Sequence, residues 1–224
     1  MTNKGFSKTT LAIGATAISA EKAGAELAYD TVDKALGTLK TYDWGSDRES
    51  LNPIDRAIIA TRNDPAARKM LEEGLVNVLA GGISRSAQDY VCRKLRLVGT
   101  ARSIETLASL LLDQETSHIA RYALARIPAE KATKALRDAL PHVSNKLKPG
   151  IIGSLGVRRD KESVEALSEH LGDSDIRIAQ AAAHSLGLIG TSASATSLGK
   201  FAGKAPGNMK MPVADACLIC AERL

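Results

Sequence analysis

Leucines recur along this chain at a nearly fixed interval, in two offset series. Leu95, Leu124, Leu155 and Leu186 are separated by 29, 31 and 31 residues, and Leu107, Leu136, Leu167 and Leu198 repeat those intervals twelve positions downstream. A period in this range decides architecture before local propensity is weighed, because each short unit cannot bury its apolar face alone and must stack on neighbours like itself. Two phased series mean two elements per unit. Gly99, Pro128, Gly156 and Gly190 follow the first series closely, so each unit reads as a first helix, a tight Gly or Pro turn, a second helix of about twelve residues and a polar link.

The second helices carry their own signals. Asp160 stands where an N-cap belongs, Val164, Leu167 and Leu171 follow at helical spacing, and Gly172 supplies a stop. Upstream, Asn52 before Pro53 and Asp64 before Pro65 each pair a capping residue with a first-turn proline, which predicts an additional helix pair over residues 52–80.

Asp173, Ile176 and Arg177, followed by Ala181, Ala182, Leu186, Gly187, Ile189 and Gly190, resemble the HEAT-repeat family, in particular the short bacterial version also found in phycobilin lyase subunits. The resemblance covers residues 86–202 well, the C-terminal helix around 214–224 less closely, and residues 1–50 not at all. Pro128 in place of the turn glycine, and a link of different length at 113–121, depart from the pattern. The resemblance implies an all-α, right-handed solenoid of stacked antiparallel helix pairs, HEAT- or armadillo-like. Tetratricopeptide repeats have a similar period of about 34, but their Trp and Tyr signature positions are empty here. The chain divides into 1–21, a flexible N-terminus or weak leader; 22–83, a helical N-terminal cap; and 84–224, the repeats with a C-terminal capping helix.

Aromatic residues make up only 3% of the chain against 44% apolar residues overall, so the core must be Ala, Leu, Ile and Val between closely approaching helices. The net charge of +5 comes from 30 basic and 25 acidic side chains, and residues 87–224 hold 19 and 14 of these, so the repeats carry the whole excess. No acid occurs from 139 to 159 or from 176 to 214. Such a bias does not by itself define a partner. Cys92, Cys217 and Cys220 make an odd count, and the C-x-x-C of the last two sits in an apolar run without a second pair or a nearby His, which reads as core packing rather than zinc or redox chemistry. No apolar run reaches the length of a membrane span. Lys4 and Lys8 precede an uncharged segment at 9–20 with the outline of a secretory leader, diluted by Gly14, Thr16 and Ser19. Localisation is left open, with the cytoplasm favoured and bacterial export through residues 1–20 the alternative.

Candidate contact residues are cationic. Lys131, Lys134 and Arg137 stand at i, i+3 and i+6, giving either a basic stripe or an inter-repeat ladder. Registering the second helices on their leucines aligns Glu105, Lys134 and Glu165 at one position and Arg102, Lys131 and Glu162 at another, which favours the ladder. Arg158 and Arg159, in the turn before Asp160 and close in sequence to Lys146 and Lys148, are the best anion candidates, since guanidinium groups fork onto carboxylate or phosphate. Their alternative is structural, with Arg159 and Arg177 bonded to Asp160, Asp173 and free carbonyls. Trp44, the single tryptophan, is either a partner anchor or a plug over the open end of the stack. His118 and Arg121 lie one turn apart without a nucleophile placed beside them. The four histidines show no metal spacing, and the paired His-Glu motifs by which HEAT-type hydroxylases hold iron are absent. Gly199, Gly203 and Gly207 do not make a phosphate loop.

No catalytic residue, metal or cofactor is expected. The reading is a non-catalytic scaffold whose second helices, at 101–112, 129–140 and 160–171, line an inner face for a protein partner. The alternatives are an anion- or nucleic-acid-binding module, or a glycosylase-like or chromophore-lyase-like enzyme. Tyr90 and Tyr122 are the only aromatic residues between Trp44 and Phe201, too few for a glycosylase cleft.

Overall fold

The computed structural model describes residues 29–224; residues 1–21, read above as a flexible N-terminus or leader, lie outside the described residues. These form twelve α-helices and no strand. They are α1 (Tyr29–Thr38), α2 (Asn52–Ala60), α3 (Pro65–Ala80), α4 (Arg85–Val98), α5 (Ile104–Ala108), α6 (Ser117–Leu124), α7 (Glu130–Ala139), α8 (Lys148–Val157), α9 (Val164–Glu169), α10 (Ile176–Ile189), α11 (Ser192–Ala202) and α12 (Gly207–Ala221).

The eight leucines of the two series are all fully buried, and they build two layers. In the first layer α2 packs on α4, α4 on α6, α6 on α8, α8 on α10 and α10 on α12; in the second, α1 packs on α3, α3 on α5, α5 on α7 and α9 on α11. The step from α7 to α9 is the exception, with at most marginal backbone contact. This is the stack of helix pairs that the period implies.

Small residues set how closely the first layer packs. Ala179, Ala182 and Ala183 of α10 are buried, a Cβ on Gly156 would lie 2.7 Å from the Cβ of Ser185, and one on Gly187 would lie 2.8 Å from the Ala216 carbonyl oxygen. The Ser185 hydroxyl donates across the α8–α10 contact to the Ile152 carbonyl at 3.0 Å. A core poor in aromatics therefore reaches close packing by bringing backbones together.

Several local expectations are corrected. Asp64 does cap α3, accepting from the amides of Ala66 and Ala67 with Pro65 behind it. Asn52 caps nothing: a 3-10 turn at Arg48–Leu51, itself capped by Asp47, runs straight into α2 and leaves Asn52 inside the helix. The second helices fall short of twelve residues. The segment 160–171 is a six-residue helix, α9, between 3-10 turns at Lys161–Ser163 and His170–Gly172. Asp160 makes no capping bond, because its carboxylate accepts from Arg137 instead. The terminal helix begins at Gly207 rather than near 214.

Polar side chains close the steps between units. Glu72, buried in α3, accepts from the Thr100 amide at 2.6 Å, from the Thr100 hydroxyl and from the Ser103 hydroxyl at 2.6 Å, fixing the turn from α4 to α5. Nothing in the spacing marks it.

Candidate functional site

The six residues singled out from sequence fall in two places. Five lie along α7 and at the turn joining α8 to α9, where Arg158 and Arg159 line a shallow groove of about 350 Å³ together with Glu130, Thr133, Lys161 and Glu162. Arg158 is engaged on four sides: Nε donates to the Thr133 hydroxyl at 2.6 Å, Nη1 to the Leu124 and Ile127 carbonyls at 2.7 and 2.8 Å, and Nη2 to the Ala129 carbonyl at 2.9 Å. Burial lowers its pKa, and nearby Asp160 only partly opposes this. Arg137 bridges the α7–α9 step, pairing with Asp160 at 2.6 Å and with Glu162 at 2.7 Å. Lys134 pairs within its own helix, with Asp138 at 2.7 Å. Lys131 and Arg159 are exposed.

The charge ladder therefore exists at different rungs. Arg102 reaches Glu73 of the preceding unit at 3.8 Å and Arg137 reaches Glu162 of the following one, while Lys131 and Lys134 reach neither Glu162 nor Glu165. Arg177 pairs with Asp175 at 2.6 Å rather than with Asp173, and Arg159 makes no bond to Asp160. Its backbone instead takes a left-handed φ of 53°.

Trp44 stands apart and does not plug the stack. It is 95% exposed, and the end that it was expected to close is filled by Leu39, Leu51 and Ile54, all fully buried. A tight turn presents the indole: Gly45 takes φ 84°, Asp43 accepts from the Trp44 amide at 2.8 Å and from the Ser86 hydroxyl at 3.1 Å, and Ser84 donates to the Tyr42 carbonyl at 2.5 Å. The backbone amide and Ser86 together hold the Asp43 carboxyl below its usual range.

Beneath the indole lies a groove of about 680 Å³ floored by Tyr90. The Tyr90 ring has Arg48 at 4.7 Å and Lys94 at 4.6 Å from its centroid, and its hydroxyl donates to Asp55 at 3.0 Å. Asp55 also pairs with Arg48 at 2.7 Å and Lys94 at 2.6 Å. Burial alone would raise the Asp55 pKa, but the bonds from Lys94, Arg48 and Tyr90 outweigh it and bring it down. Burial and the Asp55 carboxylate push the Tyr90 phenol upward, so it stays a neutral donor. Arg85 and Arg93 complete the rim, with Asp89 bound to Arg93 at 2.7 Å. This is an amphipathic seat of fixed shape with one free aromatic side chain beside it. Among the described residues no three His, Cys, Asp or Glu side chains gather as a metal set.

Together the stacked pairs and the groove define a helical repeat module. Residues 134–210 match the family of HEAT repeats, a segment that includes the run from Asp173 to Gly190. Among solved structures, the chain is similar to human deoxyhypusine hydroxylase in complex with glycerol, at 15% identity and a TM-score of 0.44, over 90% of this chain and 98% of that one. It is also similar to an engineered protein, at 18% identity and a TM-score of 0.45, over 85% and 96%. No curated protein matches the sequence. Among the described residues no helix is long and apolar enough to cross a membrane.

Proposed function

We propose that this chain is a non-catalytic HEAT-repeat scaffold that binds a protein partner, and that the partner is seated at the Trp44 groove on the first-helix layer rather than along the second helices. The carrying observation is Trp44 itself. An indole 95% exposed, held on a pinned turn above a groove floored by a cation-flanked tyrosine, costs solvation free energy in the isolated chain and recovers it when covered. Tryptophan and arginine are also the residues around which binding energy concentrates. The second-helix layer supports the reading less, since Arg137, Lys134 and Arg158 are bound within the stack.

The test compares affinity capture by the wild type and by Trp44→Ala. Removing a central tryptophan costs about 2 kcal/mol or more, roughly thirty-fold in Kd, so proteins enriched by the wild type should be lost with the variant. Equal enrichment by both would overturn the seat. The lone tryptophan also gives a direct readout, since its emission should shift to shorter wavelength when purified partner is added.

A further inference from the structure

A second groove lies further along the first-helix layer, where α4, α6, α8 and α10 meet. Its volume is about 460 Å³. Arg96, His118, Arg121, Tyr122, Arg126 and His184 form its polar wall, and Ala125, Val157 and Leu188 its apolar floor. The lining holds three arginines and two histidines without one carboxylate, whereas Asp43 and Asp89 temper the groove at Trp44.

The charge here is uncompensated. Among the described residues, none of Arg96, Arg121 and Arg126 takes part in an ion pair, and Nε of both Arg96 and Arg121 lacks any hydrogen-bond partner. Arg121 is held flat against α8 by a bond from Nη1 to the Gly150 carbonyl at 2.9 Å. A Cβ at position 150 would sit 2.3 Å from its guanidinium carbon, so the glycine is what admits the arginine. Burial, with no opposing anion, lowers the Arg121 pKa, and Arg85 and Arg121 add to burial in lowering that of His118. A desolvated cation without a counterion, as Arg121 is, is stabilised by an anion that enters beside it, and half-buried Arg96 and exposed Arg126 add their charge at the same rim.

The shape narrows the class of anion. Arg96 lies 4.6 Å and Arg93 5.7 Å from the centroid of the Tyr122 ring, so guanidiniums already occupy the ring where a nucleobase would stack. The floor is aliphatic and partly open, with Val157 at 53% exposure. We propose that this groove binds an acidic peptide segment in which carboxylates alternate with aliphatic side chains, the carboxylates meeting Arg96, Arg121 and Arg126 while an aliphatic side chain rests on Ala125, Val157 and Leu188. This inference goes beyond the Trp44 seat and does not depend on it.

The probe is a fluorescein-labelled peptide, Glu-Leu-Glu-Leu-Glu-Glu, titrated with the full chain and followed by anisotropy. Saturable binding is expected, weakened at least tenfold when glutamine replaces each glutamate. Arg126→Glu and, separately, His184→Glu should each weaken it at least tenfold; both positions are exposed and neither side chain bonds to the rest of the stack, so the circular dichroism should not change. Lys200→Glu, which makes the same charge change as Arg126→Glu but on the second-helix layer, should alter binding less than twofold. Absence of saturable binding, equal losses from Lys200→Glu and Arg126→Glu, or tighter binding of a single-stranded oligonucleotide of equal charge would each overturn the proposal.

Discussion

One position shows how the repeat acts on single residues. Four places after each leucine of the first series stand Gly99, Pro128, Arg159 and Gly190, so Arg159 occupies the slot that glycine fills at the end of α10. Gly190 takes φ 62° there and Arg159 takes φ 53°, whereas Gly99 stays extended at φ −65°; the turn after α8 follows the left-handed form of the turn after α10 with a side chain poorly suited to it. Arg159→Gly should therefore raise stability by about 0.5–1 kcal/mol, the relief of strain exceeding the added freedom of the unfolded chain. Gly190→Ala should lower it by about 1–2 kcal/mol, because the backbone is left-handed and a Cβ would lie 2.5 Å from the Cβ of Arg223. Urea titrations of the two variants check both signs. At this scale the sequence was only partly readable. Arg159 sits in register with glycines, which numbering alone reveals, but the burial of Glu72 depends on a turn 28 residues away, and the exposure of Trp44 follows from leucines that fill the end of the stack first.

At the scale of elements, the leucine series located the helices and mistook their lengths. Periodicity reports which residues face the core. It says little about where a short helix tightens into a 3-10 turn, as at both ends of α9, because the same leucine is buried either way. Nor does it say which partner a charge finds: Arg137 is drawn to Asp160, so the expected cap is lost, and Arg158 reaches back to hold the carbonyls that follow α6. That clasp makes Arg158 a structural element of the α6–α8 step. Arg158→Met should destabilise the chain by about 2–3 kcal/mol, since three carbonyls and a hydroxyl lose a charged donor, whereas Lys131→Met, at an exposed position without a partner, should stay within about 0.5 kcal/mol. Thermal or urea unfolding of the pair separates a clasp from a surface cation. The cationic groove of the first layer is legible in the register of the first helices. Two places before the leucines stand Arg93, Tyr122, Gly153 and His184, and two places after stand Leu97, Arg126, Val157 and Leu188. Those columns run side by side along the first layer and outline its cationic wall and apolar floor.

Across the whole molecule, stability in a stack is the sum of what each unit contributes and what each contact between neighbours adds. The contacts are unequal. In the first layer, α8, α10 and α12 approach through glycine, alanine and serine, with Leu155, Leu186 and Ile152 fully buried between them. In the second layer, α9 is six residues long, barely touches α7, and is tied to it mainly through the pairing of Arg137 with Asp160 and Glu162. The pair with exposed Glu162 contributes little, which leaves the seam resting on the single buried pair with Asp160, so local opening should begin at 160–172 while α10 stays closed until the stack as a whole unfolds. Native-state hydrogen exchange followed by mass spectrometry tests this. Amides of α10 should show the largest protection and those of α9 protection lower by at least a hundredfold, with Arg137→Ala speeding exchange in 160–172 further while leaving α10 within a few-fold of the wild type. Uniform protection along the chain, or an effect of Arg137→Ala that spreads equally to α10, would mean that the seam between α7 and α9 is no weaker than the others and that the layers open together.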